Sequence, residues 1–156
     1  MLKEGDEAPN ITLPLPDGSS TSVSDQAGKI LVLYFYPKDD TPGCTTEAQS
    51  FTALADDFAR AGATVIGVSK DSAARHQKFI GKYGLKVQLA SDEDGAICEA
   101  YGTWIEKKLY GREYMGIDRA TFLIGKDGRI AKIWRKVKVK GHAEEVLAAV
   151  QSLRQH

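Results

Sequence analysis

The chain has 156 residues, 42% of them hydrophobic, and its 21 Lys and Arg residues are balanced by 21 Asp and Glu residues. One domain per about 150 residues is usual, so we predict a single domain over residues 1–156. The zero net charge excludes the broad attraction on which non-specific nucleic-acid binding depends. No apolar stretch approaches the ~20 residues of a membrane span, and the N-terminus lacks the apolar core of a secretory signal. We therefore expect a cytoplasmic protein that binds neither membrane nor nucleic acid.

Apolar runs between turn signals predict the strands. The run at residues 30–36 is continuous and rich in β-branched and aromatic residues, which predicts a strand buried on both faces at the centre of a sheet. A second such run lies at residues 63–68. Residues 120–124 and 129–134 flank Gly125-Lys126-Asp127-Gly128, which predicts a β-hairpin.

Apolar residues spaced three and four apart predict helices at residues 45–61, 73–83 and 142–153. A shorter helix at about residues 94–101 would be capped by Ser91 or Asp92. Alternating strands and helices predict an α/β sandwich whose mixed sheet is antiparallel at the hairpin and parallel where helices cross over.

The acidic run at residues 92–94 is interpreted as a turn and helix cap. The following glycine is misplaced for a calcium-binding EF-hand loop, and no bidentate glutamate follows at the right distance, so no metal site is predicted. The basic stretch at residues 132–140 favours an exposed strand whose charges prevent edge pairing over a nucleic-acid patch.

The chemistry lies in the segment around Cys44. A buried strand ends at Tyr36, a loop rich in Pro and Gly follows, and Cys44 stands where the next helix begins. Backbone N–H groups in a first helical turn have no intrahelical partner and the helix dipole is positive there, so a thiolate at this position is stabilised. Gly43 allows close approach to the backbone, and the Thr41 hydroxyl can donate to the sulfur or to a substrate oxygen. Position alone leaves a reactive thiol and an inert, buried Cys44 equally open.

Two other thiol chemistries are disfavoured. The Cys-x-x-Cys motif of dithiol oxidoreductases is absent, because Thr45, Thr46 and Glu47 follow the cysteine. A cysteine hydrolase needs a histidine beside the thiol. We expect the three histidines to lie at the surface instead: His76, His142 and His156.

At this point the chain resembles a known family. The pattern Pro37-x-x-x-Thr41-x-x-Cys44 is similar to the active-site signature of the peroxiredoxins, and the three residues after it are similar to the bacterioferritin comigratory protein (PrxQ) branch. The resemblance covers nearly the whole chain through further segments: Gly5-Asp6-x-Ala8-Pro9, Pro16-Asp17-Gly18, Ser91-Asp92, Tyr101-Gly102, Trp104 and Arg119-x-Thr121-Phe122-Leu123-Ile124.

The resemblance implies a thioredoxin-like, three-layer α/β sandwich with helices on both faces and an N-terminal hairpin extension. It implies a thiol peroxidase without metal or organic cofactor, in which Cys44 attacks the peroxide and becomes a sulfenic acid. Thr41 would position the peroxide, and Arg119 would hold the thiolate and the developing charge. Pro37 would shield the site from water. Glu47 could accept from Arg119, but we interpret it as a first-turn acid favoured by the helix dipole.

The second cysteine departs from the pattern. Many members of the branch keep a resolving cysteine five residues after the first, where this chain has Gln49, and the helix predicted at residues 73–83 contains none. Only Cys98 remains, and its apolar neighbours favour a packing role. We therefore expect a one-cysteine cycle in a monomer, with thioredoxin, glutathione or glutaredoxin as the external reductant.

Three alternatives stay open. Cys98 could resolve the sulfenic acid in a two-cysteine cycle. The chain could be a protein-disulfide reductase, with Cys98 supplying the second sulfur. It could also be a non-catalytic redox sensor or thiol-binding module, in which oxidation of Cys44 changes a partner interface. Repeated turnover of peroxide distinguishes an enzyme from such a sensor.

Overall fold

The computed structural model describes residues 1–154 and is built around a five-stranded sheet. In chain order its helices and strands are β1 (Thr12–Pro14), β2 (Ser20–Ser22), β3 (Ile30–Phe35), α1 (Pro42–Ala53), α2 (Ala55–Arg60), β4 (Ala63–Ser69), α3 (Ala73–Tyr83), β5 (Gln88–Ser91), α4 (Ala96–Ala100), β6 (Trp104–Leu109), β7 (Arg112–Ile117), β8 (Ala120–Ile124), β9 (Ile130–Trp134) and α5 (His142–Arg154). None of the described helices has the length and apolar character needed to cross a membrane.

The central sheet has the order β5-β4-β3-β8-β9. Strands β3, β4 and β5 are parallel, and β8 and β9 add to the other side of β3 as antiparallel strands. All six residues of β3 are buried, as its uninterrupted apolar run predicts. The mixed sheet, the β8–β9 hairpin and the antiparallel β1–β2 pair at the N-terminus confirm those predictions.

Successive side chains of β3 point to opposite faces of the sheet and belong to two separate hydrophobic cores. Val32 and Tyr34 pack with residues of α1, α2, α3 and α5, whereas Leu31 and Leu33 pack with α4 and with the N-terminal segment. Each large apolar side chain buried in these layers stabilises the fold by roughly 1.5–3 kcal/mol. Cys44 belongs to the first core and Cys98 to the second, so the two cysteines lie on opposite faces of the sheet.

The single helix predicted over residues 45–61 is instead two helices. Leu54, with φ −102° and ψ 9°, separates α1 from α2. The apolar spacing survives this break because Phe51 and Phe58 both stay in the core, so periodicity alone could not reveal it. The start is also earlier than predicted, at Pro42, because the fixed φ and missing N–H of proline suit a first helical turn.

A second hairpin, β6–β7, was not predicted. Its strands pair antiparallel as a two-stranded sheet, joined by Tyr110 and Gly111, whose φ values of 51° and 77° are both left-handed. Most of its side chains are exposed or half-buried, so the sequence carries no clean apolar alternation to mark it.

The basic stretch is only partly a strand. β9 ends at Trp134, and residues 135–141 form a loop. This loop is fastened to the start of β8, because the backbone N–H of Val137 donates to the carbonyl oxygen of Arg119 at 2.9 Å. The predicted exposed strand over residues 132–140 is therefore wrong beyond Trp134.

Candidate active site

Cys44 is the third residue of α1 and is only 2% exposed. Residues 36–41, here called the Cys44 loop, join β3 to this helix. Thr41 is the N-cap residue in extended geometry, but its side chain makes no capping hydrogen bond. The first intrahelical bond runs from the N–H of Thr45 to the carbonyl of Thr41, which leaves the N–H groups of Gly43 and Cys44 without an intrahelical acceptor. These donors create a positive environment at the sulfur.

The Thr41 hydroxyl is oriented by the loop itself. It donates to the carbonyl oxygen of Lys38 at 2.8 Å. Because its one proton is used there, the oxygen faces other groups as an acceptor. The expected role of Thr41 as a donor to the sulfur or to a substrate oxygen stays a prediction, and in this arrangement its proton goes to Lys38. An incoming O–H group is the partner that fits it.

Arg119, the residue before β8, lies between Cys44 and Glu47. Its Nη2 is 3.4 Å from Cys44 Sγ, and its Nη1 donates to Glu47 Oε1 at 2.7 Å. Glu47 is 1% exposed, and this burial raises its pKa to about 7 although Arg119 opposes the shift. The interpretation of Glu47 as an acid that serves only the helix dipole is therefore wrong, since it anchors the guanidinium beside the thiol.

Gly43 leaves room for the close approach of Arg119. A Cβ at this position would lie 3.2 Å from Arg119 Nη2, tighter than ordinary van der Waals contact. The guanidinium thus packs against a bare stretch of backbone next to the sulfur. Pro37, in contrast, is exposed at the start of the Cys44 loop, and its shielding role stays a prediction.

Cys98 has different surroundings in α4. It is fully buried, and burial, together with the nearby Asp92 carboxylate, raises its pKa to about 12. The two Asp92 oxygens accept from the N–H groups of Ile97 and Cys98 at 2.9 and 2.8 Å. The N-cap position itself is Gly95, and of the two predicted candidates Asp92 is the side chain that satisfies the N–H groups at this helix start. The packing interpretation of Cys98 fits these contacts.

The histidines do not lie at the surface as expected. His76 is 0% and His142 is 4% exposed, and His156 lies outside the described residues. His142 Nε2 is 2.8 Å from Thr121 Oγ1, and His76 Nδ1 is 2.6 Å from Asp39 Oδ2. Each ring is buried because a hydrogen-bond partner from a distant part of the chain satisfies it.

Asp39, His76 and Lys107 are residues near the site that the sequence did not reveal. Asp39 is a buried residue of the Cys44 loop that bonds Tyr36 in the same loop and His76 in α3. Lys107 comes from the unpredicted β6–β7 hairpin. Burial lowers its pKa, and the charges of Arg119 and Cys44 also act on it. Only the acidic pair at residues 39–40 beside the cysteine motif could have drawn attention to this region.

Comparisons with known proteins agree with this arrangement. Residues 4–133 match the AhpC/TSA family. Peroxiredoxin Bcp of Bacillus subtilis is 48% identical over 152 residues, 97% of each chain. A putative peroxiredoxin of the same name from Coxiella burnetii is 48% identical over 94% of this chain and 97% of its own.

The fold agrees as well. The solved bacterioferritin comigratory protein of Xanthomonas campestris, described for its alkyl peroxide reduction activity, superposes with a TM-score of 0.88 over 92% of each chain, at 46% identity. The predicted thioredoxin-like peroxiredoxin fold is thereby confirmed. By its sequence and its fold, the chain belongs to the AhpC/TSA family and, within it, to the Bcp (PrxQ) peroxiredoxins, which makes it a thiol-dependent peroxidase.

Proposed function

We propose that this peroxidase reduces hydrogen peroxide and small organic hydroperoxides in a one-cysteine cycle, with Cys44 as its only reacting sulfur. The observation that carries this proposal is the contrast between the two thiols. Cys44 Sγ lies 3.4 Å from Arg119 Nη2 at an uncapped helix start, whereas Cys98 is fully buried in the core on the opposite face of the sheet.

In the first step, the Cys44 thiolate attacks one peroxide oxygen and the O–O bond breaks. The electron pair of that bond leaves on the second oxygen, which takes a proton and departs as water or as an alcohol. The sulfur loses two electrons and becomes a sulfenic acid. Negative charge spreads over both oxygens as the bond stretches, and Arg119 and the free N–H groups of Gly43 and Cys44 are the donors that stabilise it.

Two neighbours orient the peroxide and the cation. The Thr41 oxygen accepts from the O–H of the peroxide, because its own proton is held by Lys38. Glu47 fixes the Arg119 guanidinium through a 2.7 Å contact, so that Nη2 remains aimed at the sulfur. Pro37 shields the loop from water in this scheme.

In the second step, an external thiol attacks the sulfenic acid and releases water, leaving a mixed disulfide on Cys44. A second thiol then frees Cys44 as the external pair is oxidised. Thioredoxin, or glutathione with glutaredoxin, supplies these thiols. We place the protein in the cytoplasm as a monomer. Two free cysteines, Cys44 and Cys98, suit a reducing compartment.

Steady-state peroxide consumption with each reductant tests this cycle, using the wild type, Cys98→Ser and Cys44→Ser. We expect many turnovers in the wild type and in Cys98→Ser, and none in Cys44→Ser. Loss of turnover in a folded Cys98→Ser variant would overturn the one-cysteine cycle in favour of a resolving Cys98. A wild type that stops after one peroxide per chain would instead identify a redox sensor.

A further inference from the structure

A buried contact between the Cys44 loop and α3, from Asp39 to His76, is not accounted for by the peroxide chemistry. Asp39 is 2% and His76 0% exposed, and their Oδ2 and Nδ1 atoms are 2.6 Å apart. The other ring nitrogen, Nε2, is 3.0 Å from the carbonyl oxygen of Ala90 on β5. The imidazole therefore spans two acceptors, one on the loop and one on the edge strand of the sheet.

The partners of His76 bear on its charge. A backbone carbonyl can only accept, so Nε2 carries a proton. Asp39 Oδ1 accepts from the Tyr36 hydroxyl 2.5 Å away, which leaves Oδ2 to bond Nδ1. With the proton of that contact on Nδ1, the ring is an imidazolium and the contact is a charged one.

A second pair balances the charges in this cluster. The backbone N–H of Asp39 and the Ser69 hydroxyl donate to Asp71 Oδ2 at 2.8 and 2.7 Å, and Arg75 Nε donates to Oδ1 at 2.9 Å. Burial raises the pKa of Asp71, but these hydrogen bonds outweigh it and the net shift is downward. With the proton on Nδ1, the cluster of two carboxylates, one guanidinium and one imidazolium is neutral. An ionised Asp39 beside a neutral His76 would leave one buried negative charge without compensation.

The same three side chains, Asp39, Asp71 and His76, have ligand atoms within 4.8 Å of one another, a spacing that would also suit a metal ion. Each of the four carboxylate oxygens, however, already accepts a hydrogen bond from a protein group. An ion would have to break several of these bonds at once. The cluster therefore serves to hold backbone segments together, since it binds the N–H of Asp39 and the carbonyl oxygen of Ala90.

The cluster acts on the loop that leads to the thiol. Asp39 fastens the Cys44 loop to α3 through His76, whose other ring nitrogen bonds β5. Its neighbour Asp40 is held to α3 in left-handed geometry, with φ 59°, by Lys82 and Tyr83 at 2.9 and 2.6 Å. The next residue is Thr41, whose hydroxyl and carbonyl organise the start of α1. The fastening thus ends at Asp40, two residues before the start of the helix that bears Cys44.

We propose that the Asp39–His76 ion pair positions the Cys44 loop for reaction with peroxide, which makes His76 a positioning residue for the thiol. This inference rests on the proposed function of Cys44. When the contact between Asp39 and His76 is broken, Thr41 and the first turn of α1 can shift away from the positions in which they receive the peroxide. No group that touches the peroxide is removed.

The direct test is His76→Asn, because an asparagine side chain cannot reach both Asp39 and Ala90. The rate constant for oxidation of Cys44 by hydrogen peroxide, followed by mass in a single turnover, should fall about 10- to 100-fold, the range expected from a small misplacement of reacting groups. The control is Tyr101→Phe, which removes a buried side chain's hydrogen bond, to the carbonyl of Pro9, in the core on the opposite face of the sheet. It should lower the melting temperature but leave the rate constant unchanged.

Asp39→Asn is the conservative variant. Its amide can donate to a neutral Nδ1 and still accept from Tyr36, so the hydrogen bonds persist without the charges. We expect most of the wild-type rate. Nitrogen-detected NMR of the His76 ring should show protons on both nitrogens in the wild type and on Nε2 alone in this variant. If His76→Asn does not fold, Tyr36→Phe removes one bond to Asp39 and should slow the oxidation several-fold.

A wild-type rate constant in folded His76→Asn, or in Tyr36→Phe if that variant has to replace it, refutes the positioning role. A neutral His76 ring in the wild type refutes the ion pair. If the wild-type Cys44 does not react with peroxide at all, the proposed function fails instead, and the NMR experiment still reports the charge of His76 by itself.

Discussion

Cys44 and Cys98 occupy equivalent local positions, since each is the third residue of a helix and each is 2% exposed or less. They differ in what occupies the helix start. At α4 the Asp92 carboxylate accepts from the free N–H groups and brings a negative charge to the sulfur. At α1 the N-cap side chain of Thr41 turns away, and the added charge is the Arg119 cation.

The comparison separates burial from reactivity. Burial disfavours the charged form of any thiol, and at Cys98 the anion adds to that effect, so its pKa rises to about 12. At Cys44 the helix-start N–H groups are free, and the nearest side-chain charge is the Arg119 cation. The N–H groups of a helix start can stabilise a thiolate only while they are free. A carboxylate that accepts from them removes this stabilisation and adds a negative charge beside the sulfur.

The largest expected effect comes from removing the cation at Cys44. Arg119→Met should lower the rate constant for oxidation of Cys44 by about 100- to 1,000-fold, the loss typical when one transition-state donor is removed. Stopped-flow oxidation by hydrogen peroxide measures it. Arg129→Met, at the exposed far end of the β8–β9 hairpin, is the control and should react like the wild type. Equal rates in both variants would contradict the role given to Arg119.

Removing the Asp92 carboxylate at the start of α4 tests why Cys98 is expected to be unreactive. Asp92→Asn should bring the pKa of Cys98 down, and loss of the charged cap should cost ~1–2 kcal/mol of unfolding free energy. Thermal melting and alkylation of Cys98 across alkaline pH check these two effects. Asp94→Asn removes an exposed charge, while its amide oxygen can still accept from the N–H of Ala96, and it should do neither. An unchanged pKa for Cys98 would mean that burial alone, and not Asp92, raises it.

Glu47 makes the Cys44 region sensitive to pH. Its pKa is about 7 in the folded chain and near 4.5 ordinarily, so the folded chain holds this proton more tightly than the unfolded chain. The free energy of unfolding should therefore fall as pH rises through this window and become constant above it. Denaturant titrations of the wild type and Glu47→Gln isolate the effect as a difference. If the difference in unfolding free energy between the two proteins stays constant from pH 4.5 to pH 7, the burial argument is contradicted.

The smallest effect is expected from Gly43→Ala. The added Cβ would press on Arg119 at 3.2 Å, so the oxidation rate should fall several-fold while the fold persists. Gly81→Ala in α3 has open space and serves as the control. It should raise the free energy of unfolding by about 0.5–1 kcal/mol, as expected for a helix interior, and leave the rate unchanged. A Gly43→Ala rate equal to the wild type would mean that the guanidinium tolerates displacement.

Local patterns account for what the sequence predicted well. The helix predicted over residues 73–83 has those bounds in the structure, because the Ser72 hydroxyl caps its start and Gly84 ends it in left-handed geometry. The buried strand β3 and the β8–β9 hairpin were also predicted correctly from their local sequence. Cys44, Thr41 and Arg119 were found through the family motif.

What the sequence missed depends on contacts between distant residues. Asp39 and His76 are 37 positions apart, and Glu47 and Arg119 are 72 apart, so no periodicity relates either pair. The exposed β6–β7 hairpin left no apolar pattern. Burial of the histidines follows from partners that only the folded chain brings together.

The most direct test of the contrast between the two thiols is intact-mass analysis after one equivalent of hydrogen peroxide, with dimedone as the sulfenic acid trap. It uses the wild type, Cys98→Ser and Cys44→Ser. We expect one trapped sulfenic acid in the wild type and in Cys98→Ser, and none in Cys44→Ser. A wild type that loses two hydrogens without forming a dimer, and resists the trap, would contradict the contrast by joining Cys44 to Cys98.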